Sequence, residues 1–191
     1  LRGGTGDQDS CRDGGEATGT MNTTRLAEEL RKAHDVAVHS FRRQFPTRFY
    51  PGKDDVDETL RSRTPPGARF VLDIVNPISW IREGFALRRS RPDAVVFVWW
   101  IWVWARPYLV MLAFVPRSAR IIAQCHNASD KEPSWWKTLL NRAFLGRADA
   151  LLVHATSERE ALVTLLGASR APRITSAFLP VHELGGAIPA R

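Results

Sequence analysis

The stretch from Arg91 to Asn127 constrains the fold of this chain more than any other part of the sequence. It contains an apolar run with four tryptophans from Ala94 to Ala105, a break at Arg106-Pro107 and then a second apolar run. Short runs that are apolar throughout are typical of buried strands in a parallel sheet. The pattern therefore predicts a strand, a crossover helix and a second strand, over Ala94 to about Trp100, Pro107 to Val115 and Arg120 to Cys125.

Two polar residues, His126 and Asn127, follow the second of these strands directly. Ligands of open α/β sheets bind where the strands end at their carboxyl ends. His126 is therefore the candidate catalytic residue, and Asn127 is a candidate substrate-binding residue in the same loop. The neighbouring Cys125 is interpreted as a buried structural thiol, because adjacent residues of a strand point to opposite faces.

Strand-like and helix-like segments alternate along the remaining chain. Further strands are predicted over Asp35–Phe41, Arg69–Ile74, Ala150–His154 and Arg173–Leu179, and further helices over 22–32, 77–91, 134–146 and 157–167. Alternation of this kind predicts an α/β fold, a Rossmann-like parallel sheet with helices on both faces. A chain of 191 residues with 44% hydrophobic residues is long enough for one such domain with a real core.

Local signals mark the ends and faces of the predicted helices. Asn76 is expected to cap the helix that begins at Pro77, and Ser157 with Glu160 is expected to form a capping box. Apolar periodicity in the helix after Pro77 predicts a face packed against the sheet. That face is expected to contain Trp80, Ile81, Gly84, Phe85 and Leu87.

The formal net charge of +7 favours an anionic partner, which could be nucleic acid, an acidic membrane face or a phosphorylated substrate. Arg42 and Arg43 open a segment of alternating arginines and aromatics, a composition suited to anion capture or base stacking. Gly14 and Gly15 are candidates for cradling a phosphate with their backbone amides. They lie in residues 1–20, a polar segment expected to be disordered or loop-like.

Two alternatives stay open at this point. The tryptophan-rich run reaches the length of a membrane span, although Arg106-Pro107 near its middle argues against one. His126, His154 and His182 follow strand-like runs at equal spacings, which would suit either a three-histidine metal site or βα units of similar length. The two cysteines, Cys11 and Cys125, form no disulfide framework and favour a reducing compartment.

Several short segments, taken in order, resemble the opening domain of family 4 (group 1) glycosyltransferases, which have the GT-B fold. The resemblance covers roughly residues 20–180. The matching segments are Thr23–Leu30, His34–Pro46, Asn76-Pro77, Arg91-Pro92-Asp93, Trp99-Trp100, His126-Asn127, Ala148-Asp149-Ala150 and Val153-His154.

The resemblance implies an acceptor-side domain over residues 21–184, with residues 185–191 as a tail or linker towards a second domain. Such an enzyme moves a sugar, with retention of configuration, from a nucleotide-sugar donor to a polysaccharide or lipid-linked acceptor. The domain alone is expected to be an incomplete transferase that uses no metal or other cofactor.

By resemblance, His126 lies near the donor sugar and its diphosphate, Asn127 shapes that loop, and a glycine pair meets the diphosphate. The segment that begins at Arg42 would hold the acceptor. The expected location is the cytoplasm, with peripheral contact at the inner membrane face, and no nucleic acid is expected as a partner. The alternative is a non-catalytic basic module that binds anionic lipid or nucleic acid.

Overall fold

The computed structural model describes residues 23–44, 65–127 and 134–177. Its strands are β1 (His39–Arg43), β2 (Arg69–Asp73), β3 (Ala94–Trp99), β4 (Arg120–Cys125), β5 (Ala150–Val153) and β6 (Ile174–Ser176). Its helices are α1 (residues 23–31), α2 (Pro77–Ser90), α3 (Ala105–Leu112), α4 (Trp135–Leu145) and α5 (Thr156–Leu166). Short 3₁₀ helices occupy Trp102–Trp104 and Ala168–Arg173.

Every strand pair in the described residues is parallel. β1 pairs with β2, and the other strands form a four-stranded sheet in the order β3-β4-β5-β6. Because a parallel pair needs a crossover between its strands, helices α3, α4 and α5 connect successive strands of the larger sheet. The predicted fold class is confirmed: an α/β fold of parallel sheets flanked by helices, which is the architecture of a Rossmann-like GT-B half.

The tryptophan-rich stretch folds as a strand followed by a helix. β3 ends at Trp99, and α3 begins at Ala105, two residues before the predicted start. Pro107 therefore lies in the first turn of α3, where a missing backbone donor costs no helical hydrogen bond. Within the described ranges, no helix combines the length and apolarity needed to cross a bilayer.

The core lies between the four-stranded sheet and helices α3 and α4. Trp99 stacks on Phe144 with ring centroids 4.9 Å apart, and Phe97 meets the same ring edge-on at 5.5 Å. The buried Tyr108 packs 4.9 Å from Phe97 and donates its hydroxyl to the backbone oxygen of Val98. Burial raises the pKa of Tyr108 well above its usual value, so the phenol stays protonated as this donor. Aromatic clusters of this kind bury large apolar areas and fix the helices on the sheet.

α2 begins as predicted, since the side chain of Asn76 accepts from the backbone amide of Ile78 and Pro77 is the first helical residue. Trp80 and Gly84 are buried, as predicted. The prediction is wrong for Ile81 and Phe85, which are 41% and 58% exposed. A helix of this length buries only one narrow face, and these two side chains lie outside it.

Several further boundaries differ from the prediction: α3 ends at Leu112 rather than Val115, and β6 covers Ile174–Ser176 rather than Arg173–Leu179. β1 begins at His39 rather than Asp35 and continues to Arg43, because its pairing with β2 extends from His39 to Arg43. α5 begins at Thr156, so Ser157 lies inside the helix and no side chain caps its amino end. The prediction of a capping box formed by Ser157 and Glu160 is therefore wrong. Gly167 closes α5 with a positive φ of 94°, as expected for a glycine at that position.

Candidate functional site

Four residues form a row along the carboxyl edge of the larger sheet: Trp100, His126, His154 and Ala177. Their positions follow from the strand register, in which Trp99, Cys125, Val153 and Ser176 lie side by side as the last residues of the four strands. The backbone pairing continues one step further, because His126 donates to Trp99 and Ala177 donates to Val153, both at 2.9 Å. The residue that follows each strand therefore lies beside the residue that follows the neighbouring strand.

The imidazole of His126 lies between two other rings of this row. It stacks on Trp100 with centroids 4.7 Å apart and an interplanar angle of 19°. On its other side the ring of His154 is 5.1 Å away. Cys125 lies on the opposite side of the strand, fully buried in the core, which confirms its interpretation as a structural thiol. Burial, with a smaller contribution from the charge of Glu158, raises the pKa of Cys125 to about 12.

A hydrogen-bonded chain holds His154 in one orientation. The Nδ1 atom of His154 lies 3.1 Å from the backbone oxygen of Ala177, which can only accept, so Nδ1 carries the proton. In neutral His154 the Nε2 atom is then an acceptor, and the side-chain amide of Gln124 donates to it at 3.3 Å. Gln124 is buried and lies two residues before His126, on the same side of β4. Both ring nitrogens of His154 are therefore hydrogen-bonded, Nδ1 to Ala177 and Nε2 to Gln124.

His126 is uncharged at neutral pH. Burial, together with the nearby charge that His154 carries when protonated, lowers the pKa of His126 to about 4. Its Nε2 atom is shielded from solvent and has no hydrogen-bond partner in the part of the chain that the structure describes. A buried polar atom without a partner costs free energy, so this nitrogen is poised to pair with a group that enters the site.

A second unsatisfied atom lies on the same side of β4. The side-chain oxygen of Gln124 is buried and accepts no hydrogen bond from any described residue. Gln124 is on β4 and His126 directly follows it. Because the two residues are two positions apart, their side chains lie on the same side of the sheet. A hydroxyl can donate one hydrogen bond and accept others, and it is a chemically suitable partner for either atom. The arrangement suits recognition of a polyhydroxylated ligand by neutral groups.

The predicted arginines lie at the carboxyl end of the smaller sheet. Arg43 makes a bidentate ion pair with the buried carboxylate of Asp73, with distances of 2.9 and 2.7 Å. Arg42 approaches the same carboxylate at 3.5 Å but is 71% exposed. Burial alone would raise the pKa of Asp73, but the hydrogen bonds from Arg43 and the Val75 amide and the charge of Arg43 lower it below its usual value. Asp73 therefore stays ionised and holds Arg43, whereas the exposed Arg42 lies only near the same carboxylate.

The remaining predicted residues are placed as follows. Asn127 follows His126 and is exposed. Gly14 and Gly15, the Asn22 cap, His182 and most of the segment after Arg43 lie outside the described residues. Within the described ranges, no group of three His, Cys, Asp or Glu side chains could hold a metal ion. The pairing of β4 with β5 brings His126 and His154 together, and His182, the third histidine of the metal hypothesis, lies outside the described residues.

Sequence reasoning singled out His126 but missed Gln124 as part of the same site. It placed His154 and Trp100 at strand ends and in the resemblance, and His154 in the metal hypothesis, but it assigned neither to the site of His126. The available signal was the spacing: if β3, β4 and β5 pair in register, the residue after each strand must lie beside its neighbours. Gln124 lies inside the predicted strand and not at its end, so the sequence did not mark it as a site residue. Its role depends on the face of β4 to which its side chain points.

A Rossmann-like domain whose carboxyl edge presents neutral polar groups belongs to the class of proteins that bind ligands at the ends of parallel strands. A family model for the glycosyl transferase 4-like domain matches residues 19–176, which include every described element from α1 to β6. The chain therefore belongs to the glycosyl transferase 4-like family, and the resemblance found in the sequence is confirmed. No curated protein and no solved structure matches the chain.

Proposed function

We propose that this chain is the acceptor-side domain of a glycosyltransferase that moves a sugar from a nucleotide-sugar donor to a polysaccharide or lipid-linked acceptor, with retention of configuration. The family match over residues 19–176 supports the sugar-transfer chemistry. The single structural observation that carries the proposal is the neutral, shielded His126 at the carboxyl edge, whose Nε2 has no partner among the described residues.

His126 is assigned to the sugar of the donor. Because its pKa is about 4, the imidazole carries no charge at neutral pH and can act only through a hydrogen bond. A sugar hydroxyl satisfies the buried nitrogen without bringing a second charge into the site. Trp100, stacked on the imidazole, keeps the ring in place while the sugar binds.

His154 and Gln124 are assigned positioning roles behind His126. The hydrogen bonds from His154 to Ala177 and from Gln124 to His154 fix the ring that lies against His126. A catalytic hydrogen bond is effective when its donor or acceptor is already in place before the transition state. In this proposal Asn127 contacts the donor from the same loop, and the backbone amides of Gly14 and Gly15 contact its diphosphate.

The acceptor is assigned to the carboxyl end of the smaller sheet. Arg43 is held on Asp73 and orients this end of β1, whereas the largely exposed Arg42 is available to an anionic group of the acceptor. A guanidinium suits a phosphate because it offers several donors in one plane. A phosphorylated, lipid-linked acceptor matches this chemistry.

The proposed domain spans residues 21–184, and residues 185–191 lead towards a second domain that would hold the nucleotide. We also propose a cytoplasmic location with peripheral contact at the inner face of a membrane. The net charge of +7 supports such a contact, since it attracts anionic lipid.

Donor binding can be measured on the whole 191-residue chain by saturation-transfer NMR with a panel of nucleotide sugars, nucleoside diphosphates and free hexoses. We expect the hexose protons of at least one donor to receive saturation, and His126→Ala to reduce that signal severalfold. Trp135→Ala is the matched control, because Trp135 is 79% exposed on α4.

Equal hexose signals for the chain and for His126→Ala would contradict the assignment of His126. A panel in which no donor binds would contradict the proposal that this domain contacts the donor, since nucleotide binding itself is assigned to the second domain. If the chain instead bound oligonucleotides with a steep salt dependence, the basic binding module would be the better description.

A further inference from the structure

Helix α2 presents three large apolar side chains to solvent. Ile78, Ile81 and Phe85 are 67%, 41% and 58% exposed. Their spacing of three and four residues places them on one side of the helix, opposite the buried Trp80 and Glu83. Large apolar residues scattered singly on a surface need no explanation, but a contiguous stripe on one helix face marks an interaction site.

Arginines flank this apolar stripe. Arg82 and Arg89 lie along one side of it, and Arg88 lies along the other, as their positions on the helix require. Arg91, in the left-handed conformation with φ of 47°, ends the helix. All four are exposed, and none of them forms an ion pair within the described part of the chain. The stripe formed by Ile78, Ile81 and Phe85, with these four arginines, is called the outer face of α2 below.

The arginines and Phe85 also form an open recess. It has a volume of about 640 Å³ and is lined by Phe85, Arg88, Arg89 and Arg91. Phe85 is held at its edge by the ring of Phe114, whose centroid lies 4.7 Å away. A recess with one apolar wall and three guanidinium groups that form no ion pair with any described residue fits a phosphate whose neighbouring part is a hydrocarbon chain.

The combination selects one partner among those that could cover this face. A helix with an apolar stripe flanked by arginines lies in the boundary between headgroups and acyl chains of a bilayer, and anionic lipid adds electrostatic attraction. A nucleic acid would pair with the arginines but would leave Ile78 and Ile81 in water. An uncharged apolar protein surface would leave the arginines unpaired.

We propose that the outer face of α2 docks the protein on an anionic lipid bilayer, with the apolar stripe among the headgroups and the arginines on lipid phosphates. The inference rests on the membrane contact proposed above and names the surface that makes it. The outer face shares no residue with the carboxyl-edge row.

The test is sedimentation of the whole chain with vesicles of phosphatidylcholine alone or of phosphatidylcholine mixed with phosphatidylglycerol. The chain should bind the mixed vesicles and lose binding as salt is added. Arg88→Gln with Arg89→Gln should weaken partitioning about 30-fold, since each arginine near an anionic surface contributes about 1 kcal/mol. Ile78→Ser with Phe85→Ser should weaken it at least about tenfold, because less apolar area is inserted.

Helix α4 and Arg147, two residues after its end, offer matched controls. Trp135→Ser with Leu139→Ser removes two apolar side chains that are 79% and 59% exposed, and Arg142→Gln with Arg147→Gln removes the same charge from an exposed surface. We expect both control variants to bind like the unaltered chain. Failure of the unaltered chain to bind mixed vesicles would overturn this inference and the proposed membrane contact together. Equal losses in the α2 and α4 variants would overturn only the assignment to α2.

A second measurement does not depend on loss of binding. In a Cys11→Ser background, Ile78→Cys can be labelled with an environment-sensitive fluorophore, because Cys125 is buried. The label should shift to the blue with mixed vesicles, whereas a label at Leu139→Cys should not. An unshifted label at position 78 on bound protein, or binding of oligonucleotides in place of vesicles, would overturn the proposal.

Discussion

Replacement of His126 by glutamine should make the protein more resistant to acid. The pKa of His126 falls from 6.5 to about 4 on folding, mainly because the imidazole is buried. Between these two values the unfolded chain binds a proton that the folded protein does not, so stability falls as pH decreases through this window. Above about pH 6.5 both states are neutral at this site, and His126 then makes no pH-dependent contribution.

The size of the acid-dependent loss of stability follows from the pKa shift of His126. One unit of pKa corresponds to about 1.4 kcal/mol, so the full shift would cost at most about 3 kcal/mol at pH 4. The imidazole keeps some contact with solvent, which screens the interaction, and we therefore expect a loss of about 2 kcal/mol. The His126→Gln variant should lack this loss, because glutamine has no charged form.

The assay is urea unfolding followed by tryptophan fluorescence at several pH values between about 7 and 4. The difference between the unaltered chain and His126→Gln removes the contributions of carboxylates, which titrate in both. His154→Gln is an informative second variant: without the neighbouring charge the pKa of His126 should rise, and the acid-dependent loss should shrink. Parallel pH profiles for the unaltered chain and His126→Gln would refute the conclusion that His126 is neutral because it is buried.

Three further predictions concern stability and can be measured by denaturant unfolding at neutral pH. Asp73→Asn should cost about 2–3 kcal/mol, because it leaves the ion-paired Arg43 without its charge partner, whereas Arg42→Ala at the exposed end should change stability by less than about 1 kcal/mol. Trp99→Ala should cost about 3–5 kcal/mol by opening a cavity against Phe144, and the exposed Trp135→Ala should stay within about 0.5 kcal/mol. Gly84→Ala should cost about 1–3 kcal/mol, because the added methyl group would overlap the Phe114 ring, and Phe114→Leu should recover part of that loss in the double variant. Equal costs for a buried change and its exposed counterpart, or no recovery in the double variant, would count against the packing described.

The sheet that carries the site was predictable because β3, β4 and β5 are short and largely apolar, with Gln124 as a polar residue inside β4. The bounds of β4 agree with the prediction, and those of β3 and β5 agree to within one residue at the carboxyl end. A buried strand must be apolar on both faces, so the run of apolar residues directly marks where the strand begins and ends. His126 was predictable because it directly follows β4.

The elements at the margin of the fold were less predictable. The alternation in Asp35–Phe41 was a valid strand signal, but the actual start of β1 is set by where β2 pairs with it. Similarly, Ile81 and Phe85 fit a core-facing pattern, yet both side chains are exposed, and the ring of Phe114 covers only part of Phe85. Periodicity shows which residues share a face, and only packing shows whether a neighbour covers that face.

The contacts inside the site could not be predicted from the sequence, because they depend on how the strands pack together. The stacking of Trp100 on His126 and the bond between Gln124 and His154 require the register of three strands, which are distant in sequence. The shifted pKa of His126 has the same origin, because burial is a property of the folded surroundings. The type of residue at the strand end was visible in the sequence, and its protonation state was not.

The measurement that tests the central proposal most directly is a titration of the whole chain with a nucleotide sugar, followed through the ring ¹H and ¹⁵N signals of its histidines. We predict that the signals of His126 shift saturably and remain those of a neutral imidazole, and that a nucleoside diphosphate without the sugar leaves them nearly unchanged. If His126 stays unmoved while the donor binds elsewhere, or if its ring becomes protonated on binding, the account of a neutral histidine that recognises the donor sugar is contradicted.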